Sequence, residues 1–189
     1  MSLEVALNNV FKEIDTNYII PTAEMISSSF EMASIKNPYF GATKTSVKFD
    51  FGTQKEVNAY LKMTKEKYPL VWLVYPFEES FTNTNIEVIN CKNVRLVFSI
   101  NTDINRTSKF RHDTSKIVLE NLVDYFLKLM KQSKFTKYIS IDKTVELKKT
   151  FYPNYAVNKE QTANAQSDVW DAISIDCNFI LRNNCTTNN

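Results

Sequence analysis

Glycine is almost missing from this chain, which has two, Gly41 and Gly52, among its 189 residues. Loops that bind phosphate groups need glycines, because the backbone must come close to the ligand there. The region 86–102, which has the pattern of extended strands, contains none. The sequence therefore offers no phosphate-cradling loop in this part of the chain.

Cysteine and histidine are scarce as well. The three cysteines, Cys91, Cys177 and Cys185, lie far apart without a C-x-x-C pair, and His112 is the only histidine. Zinc sites need ligands at close spacing, and a disulfide framework needs an even set of cysteines at short intervals. We therefore expect reduced thiols, no metal and no other cofactor.

Neither charge nor hydropathy points to a nucleic acid or a membrane. The chain has 23 basic and 21 acidic residues, a formal net charge of +2, whereas nucleic-acid-binding domains carry a marked basic excess. No apolar run approaches the roughly 20 residues that span a bilayer as a helix. The acidic, amphipathic start MSLEVALNNVFKEID does not have the form of a signal peptide. The sequence predicts a reduced, soluble protein made inside the cell, with no membrane partner.

Aromatic and aliphatic residues are plentiful enough for one core. Hydrophobic residues make up 43% of the chain and aromatic residues 13%, and the length fits one domain. We predict a single domain over 1–182, followed by a disordered tail at 183–189. Its first part, 1–42, should hold a helix capped by Ser2 and reaching about Asp15, then an irregular connector at 17–41.

Hydrophobic periodicity predicts the strands of the first half. The stretch TSVKFDF alternates apolar and polar residues, and Thr53 with Glu56 forms a T-x-x-E capping box for the helix that follows. The stretch KYPLVWLVYPFEES is apolar at consecutive positions, which is typical of a central strand covered on both faces. The region 86–102 has the pattern of two short strands around a turn at Lys92 and Asn93.

The second half predicts one long helix between polar loops. A loop at 102–113 leads into a helix at 114–132 with a wide apolar face. Strands are predicted at 137–149 and 169–181, separated by a long polar loop at 152–167. The fold class is α+β: a single mixed or mainly antiparallel sheet with two helices packed on one face, plus an N-terminal helix and long loops.

Two arrangements could in principle carry chemistry. Glu146 and Lys148 have the acid-x-lysine spacing of metal-dependent nucleases on a predicted strand, but neither Asp142 nor Asp124 is well placed to complete a metal site. His112 is next to an aspartate but has no marked nucleophile. A solvated strand face and a surface histidine explain both patterns better, so we predict no catalytic residue and no enzyme.

Loops and large aromatic residues are the candidates for contacts. The basic residues of 102–113 could meet phosphate near a helix start, or form a salt-bridging rim in a protein interface, or simply be solvated. Trp72 and Trp170 are candidate core or interface anchors. The candidate assembly-contact residues of the two long loops are Arg106, Lys109, Phe110, Arg111, Tyr152, Asn154, Tyr155 and Lys159.

Three stretches, taken in order and spacing, resemble a known protein family. They are YPLVWLVYPFEE, then VRLVFSINTDINRTSKFRHDTSKIVLENLVDYFLKLMKQSKF, then SDVWDAISIDCNFIL. Together they are similar to the tail-completion or tail-terminator proteins of long-tailed bacteriophages, in which a P-hydrophobic-W-L strand, an arginine-containing loop, a long helix and a closing D-x-I-D-A-I-like strand recur. The resemblance covers about 67–181, and the segment 17–41 has no counterpart in it.

The resemblance implies a structural role. Such proteins are small α+β domains without catalytic residues, and they form rings, usually hexameric, on the head-proximal end of the tail tube. It implies a homo-oligomer whose partners are the tail tube protein and the head–tail connector proteins near the portal. Genomic DNA would pass through the lumen without sequence-specific binding. The protein would be made in the host bacterial cytoplasm and end in the tail or neck of the virion.

Three alternatives stay open. Another neck protein, such as a head-completion or stopper protein, has the same structural class and differs in its position in the particle. A small metal-dependent nuclease would use Glu146 and Lys148. A host-acting binding module made early in infection would be absent from mature particles.

Overall fold

The computed structural model describes residues 1–17, 47–63, 68–82, 85–102, 105, 107–155 and 169–182. The predicted connector at 17–41, except Asn17, and the predicted disordered tail at 183–189 lie outside the described residues. None of the helices in the described part of the chain is both long and apolar enough to cross a membrane.

The described chain is an α+β fold built on one mixed sheet of seven strands, which confirms the predicted fold class. The strands pair antiparallel except for the first two, which are parallel. In chain order the elements are α1 (Leu3–Asn17), β1 (Lys48–Gly52), α2 (Gln54–Met63), β2 (Leu70–Val74), β3 (Glu78–Thr82), β4 (Asn85–Thr102), α3 (Ser108–Arg111), a π-helical segment (His112–Lys116), α4 (Ile117–Leu129), α5 (Ser133–Thr136), β5 (Ile139–Ile141), β6 (Lys148–Tyr155) and β7 (Val169–Arg182).

The two longest strands, β4 and β7, pair along most of their length and form the centre of the sheet. Along the edge of β4 that faces away from β7, the first half of β4 pairs with β3 and the second half pairs with β2. Strand β2 in turn pairs with β1. Along the edge of β7 that faces away from β4, β6 pairs with the first half of β7 and β5 pairs with its end. Thus β1 and β3 lie at one side of the sheet, and β5 and β6 lie at the other.

Strand β2 is buried on both faces, as its uninterrupted apolar run predicts. Val71 and Leu73 belong to the main core with α1 and α4, whereas Leu70 and Trp72 belong to a second cluster under α2. The two helices packed on one face are therefore α1 and α4, and α2 covers part of the other face. Since β1 and β4 flank β2, the strand is an interior one.

Both predicted helix starts in the first half are present. The Ser2 hydroxyl accepts a hydrogen bond from the Val5 amide at 3.4 Å and caps α1. The Glu56 carboxylate accepts bonds from the amide and the hydroxyl of Thr53 at 2.6 and 2.7 Å, which fixes the start of α2. Gly52 directly precedes Thr53 and has φ of +140°. A Cβ at residue 52 would lie 2.6 Å from the Glu56 carboxylate. A side chain at residue 52 would therefore strain the backbone and disturb the cap.

The prediction of two short strands in 86–102 was wrong, because β4 is one strand with a bulge. The register shifts between Cys91 and Val94, so that two residues on β4 lie opposite one on β7. Asn93 has φ of +56°, and its amide donates to the Asn178 side chain at 3.1 Å. Asparagine tolerates this conformation well, and the side-chain bond satisfies the amide that the bulge removes from the ladder.

The prediction of a single strand at 137–149 was also wrong. Strand β5 ends at Ile141, and the Asp142 carboxylate then accepts bonds from the amide and the hydroxyl of Thr144 at 2.9 and 2.7 Å. This aspartate turn competes with continued strand pairing. The chain returns to β7 only at Lys148, where β6 begins.

The long predicted helix is present but starts earlier than expected. The Thr107 hydroxyl accepts a bond from the Phe110 amide at 3.2 Å and caps α3, which continues through the π-helical segment into α4. The predicted loop at 102–113 is therefore helical from Ser108 onwards. Likewise, the predicted loop at 152–167 begins in β6, and 156–168 lies outside the described residues.

Candidate functional site

Arg111 was predicted to be a contact residue in an exposed loop, and the structure places it in the interior. Its side chain is 1% exposed, and Nη1 lies 2.7 Å from Oδ1 of Asp171, which is fully buried. Asp171 lies near the start of β7, where it pairs with β4. Its side chain is on the same face as the core residue Ile173. The ion pair therefore joins the helix start to the central strand, and Arg111 is not available at the surface of this subunit.

The other residues of the basic loop fall in different environments. Lys109 is exposed and Phe110 half-buried, both on α3, and Arg106 lies outside the described residues. His112 is 64% exposed, with Nδ1 3.0 Å from Oδ1 of Asp113. The predicted phosphate-facing group is thus divided between the core and the surface.

The described cysteines are unsuited to act as nucleophiles. Cys91 and Cys177 are buried in the main core. Burial raises the thiol pKa of each to about 12, and nearby carboxylates, Glu79 for Cys91 and Asp176 for Cys177, add to this. Both thiols are therefore protonated at neutral pH, and neither supplies the thiolate that nucleophilic catalysis requires.

The nuclease-like pair does not share a strand. Glu146 lies in the turn between β5 and β6, Lys148 is the first residue of β6, and both are exposed. Within the described residues, no group of three or more histidine, cysteine, aspartate or glutamate side chains is placed to hold a metal ion. The strand geometry on which the nuclease reading depended is therefore not formed.

The candidate residues of the second loop lie on or beyond the edge strand β6. Tyr152 is half-buried and pairs with Ala172 of β7, and the backbones of Asn154 and Tyr155 continue the same strand. Lys159 lies outside the described residues. In the described sheet β6 pairs with β7 along one edge, which makes it an edge strand of that sheet.

The tryptophans lie in the core of this chain. Trp72 is 4% and Trp170 1% exposed, both in the cluster under α2. The Trp72 indole donates to the Gly52 carbonyl at 3.0 Å, and the Trp170 indole donates to the Tyr68 hydroxyl. Their polar atoms are satisfied internally, which favours the core reading over the anchor reading.

A groove that the sequence did not predict lies beside β3. Aromatic and acidic side chains line it, and it has a volume of about 620 Å³ and opens to solvent. We call it the acidic groove. Its lining residues, drawn from α1, β3, the turn before β3 and the residue before α2, are Glu4, Thr53, Tyr75, Pro76, Phe77 and Glu79.

A tyrosine hydroxyl surrounded by carboxylates forms the centre of the acidic groove. The Tyr75 hydroxyl donates to Oε1 of Glu4 at 2.5 Å. Burial, this hydrogen bond and the charges of Glu4, Glu56 and Glu79 all raise the pKa of Tyr75. Burial by itself would raise the pKa of Glu4, but the hydrogen bonds it accepts, led by that from Tyr75, lower it overall. At neutral pH the tyrosine is therefore protonated and Glu4 ionised, so the groove is electronegative.

The local sequence held a weak signal for this groove. The stretch YPFEES joins three apolar residues to two glutamates directly after the buried strand β2. What the sequence could not indicate is that α1 brings Glu4 to Tyr75, which is 71 residues away in the chain. Long-range placement of this kind depends on the packing of α1 across the sheet.

Comparisons with protein-family models, curated protein sequences and solved structures gave no match.

Proposed function

We propose that this chain is a non-enzymatic structural protein of tailed-bacteriophage virions. In this proposal a homo-oligomeric ring of the chain caps the tail tube and joins it to the head–tail connector, and DNA passes through the lumen without being gripped. Three motifs that resemble the tail-terminator family support the proposal, and so does the α+β fold, which is the fold that the resemblance implies. The balanced charge of +2 is compatible with DNA passing freely.

The observation that carries the proposal is the charge of two edge strands on opposite sides of the sheet. Strand β3 exposes Glu78 and Glu79 at one side, and β6 exposes Lys148 and Lys149 at the other. Within the described residues, none of these four side chains belongs to an ion pair closer than the 4 Å limit for a salt bridge. One side of a subunit is thus electrostatically complementary to the other side of the next.

Such complementarity favours head-to-tail association. When two different surfaces of the same chain bind each other, each added subunit presents the same free surface again. The assembly closes into a ring if the rotation between subunits returns to the start, and otherwise it extends as a filament. A ring is the form that a tube cap requires.

A double charge reversal on β6 tests the proposal. We expect Lys148→Glu/Lys149→Glu to convert the assembled protein to monomer, because it places like charges opposite Glu78 and Glu79 of the neighbour. The measurement is the mass of the particle in solution, by native mass spectrometry or sedimentation. Raised salt should weaken the assembly of the unaltered chain in the same direction.

A matched control separates edge pairing from net charge. Lys128 and Lys131 are exposed near the end of α4, so Lys128→Glu/Lys131→Glu makes the same change in charge away from the strands. This variant should assemble like the unaltered chain. Equal assembly of the β6 variant, or a monomeric unaltered chain at every concentration, would count against the proposal.

A further inference from the structure

The acidic groove has the chemistry of a receptor for a lysine side chain. The faces of Tyr75 and Phe77, whose ring centroids lie 5.5 Å apart, offer apolar surface to a methylene stem. Glu4 and Glu79, which also line the groove, offer carboxylates to an ammonium group. Lysine commonly buries its stem against apolar surface and keeps its charge at the polar edge, and aromatic rings also attract cations.

The exposed aromatic surface continues beyond the groove. Phe51, at the end of β1, is 43% exposed, and its ring centroid lies 5.9 Å from that of Tyr75. A large aromatic side chain left in solvent beside an open groove is typical of a contact surface. The apolar strip of Phe51, Tyr75 and Phe77 therefore extends the groove along the side of the sheet that holds β1 and β3.

The carboxylates of the groove have no cation from the described part of the chain. The ion pairs within the described residues involve other acids, and Glu4, Glu56 and Glu79 belong to none of them. Glu4 is held by the Tyr75 hydroxyl, and Glu56 caps α2. Glu79 is exposed, and the Cys91 thiol lies 3.9 Å from its Oε1. The groove thus presents its negative charge outward.

We propose that the acidic groove receives a lysine side chain from β6 of a second copy of this chain, either Lys148 or Lys149. The inference rests on the proposed ring, whose acidic side of the sheet contains the groove, and it specifies which residues meet. Charge complementarity identifies the occupant, since β6 presents two adjacent exposed lysines and no acid among its exposed residues. Adjacent strand residues point to opposite faces, so only one of the two enters the groove.

A charge-exchange cycle tests this inference. Glu79→Lys, Lys148→Glu and Lys149→Glu are made singly, and Glu79→Lys is then combined with each lysine reversal in the same chain. Each disruptive single variant should weaken the association constant about tenfold or more, since close charge pairs across interfaces couple by at least about 1.5 kcal/mol. One of the two combinations should restore assembly, because the exchanged charges attract again.

The controls and outcomes distinguish the groove from the ring. Asp124→Lys on α4 makes the same change in charge as Glu79→Lys at an exposed site that does not line the groove, and it should leave association unchanged. Rings that form with Glu79→Lys as readily as without it, or no recovery in either combination, would overturn the groove inference and leave the proposed function standing. An unaltered chain that never associates would overturn both.

Discussion

Replacing Arg111 with methionine is expected to lower the free energy of unfolding by about 3–5 kcal/mol. The reason is the position of the ion pair, in which Arg111 is 1% exposed and Asp171 fully buried. Methionine keeps the apolar stem but removes the guanidinium, so the Asp171 carboxylate remains in the core without that counter-charge. A domain of this size has a total stability of about 5–15 kcal/mol, so the loss would be a large fraction of it.

The measurement is urea unfolding followed by circular dichroism, with Arg95→Met as the matched control. Arg95 also pairs with an aspartate, Asp176, at 2.6 Å, but their side chains are 47% and 31% exposed. The control should therefore change stability by no more than about 1 kcal/mol. Similar small losses of stability in both variants would show that the ion pair of Arg111 with Asp171 is not buried in solution.

A double replacement gives a second test of the same pair. In Arg111→Met/Asp171→Leu both charges are removed together, so no buried carboxylate is left in the core without the Arg111 guanidinium. Replacing a buried pair by apolar residues is often neutral for stability, so the double variant should recover most of the loss. Recovery would attribute the loss of stability in Arg111→Met to the buried charge of Asp171. An equally unstable double variant would attribute that loss to lost packing.

Replacing Phe11 with alanine is expected to cost about 3–5 kcal/mol, the usual loss for a buried phenylalanine. Phe11 is 1% exposed, and its ring stacks on Phe49 of β1 at 4.7 Å and on Phe126 of α4 at 5.3 Å. It therefore joins α1 to the sheet and to the main helix at once. The change should also remove the hydrogen-exchange protection of α1, since that helix depends on this face for its stability.

The control for Phe11 lies on the same helix. Val5 is 52% exposed, and Val5→Ala should change stability by no more than about 0.5 kcal/mol. Urea unfolding of the two variants gives the comparison directly. Equal effects at the two positions would mean that α1 is not packed on the sheet as described.

The elements that sequence predicted well are those in which one short-range pattern decides the structure. Strand β2 combines an uninterrupted apolar run with two faces to cover, and the Thr53 and Glu56 cap depends on contacts three residues apart. The amphipathic faces of α1 and α4 follow from their helical spacing in the same way. For these segments local chemistry and tertiary packing agree.

The predictions that were wrong share a different cause. The Asn178 side chain accepts a bond from the Asn93 amide and preserves β4 through its bulge, whereas the Asp142 side chain accepts a bond from the Thr144 amide where β5 ends. Short polar side chains that bind backbone amides thus have opposite effects, and the partner strand decides which effect results. The burial of Arg111 likewise depends on a partner 60 residues away. No local pattern contains that information.

The sequence indicates part of the candidate site in the same way, through short-range patterns, and gives no sign of the part that depends on long-range packing. Strand alternation in β7 places Asp171 in line with the core residues Ile173 and Ile175, and a buried carboxylate requires a counter-charge. That reasoning could have identified a cation in the core, but not which one. The acidic groove was beyond sequence reasoning, because it forms only when α1, α2 and β3 meet around Tyr75.

Electron microscopy of the purified chain, alone at low ionic strength and in particles of the tailed phage to which the proposed function assigns it, tests the central claim most directly. We predict closed rings of one stoichiometry, about six copies as the resemblance to tail-terminator proteins implies, located between tail tube and connector. Monomers in solution together with absence from the particles would contradict it.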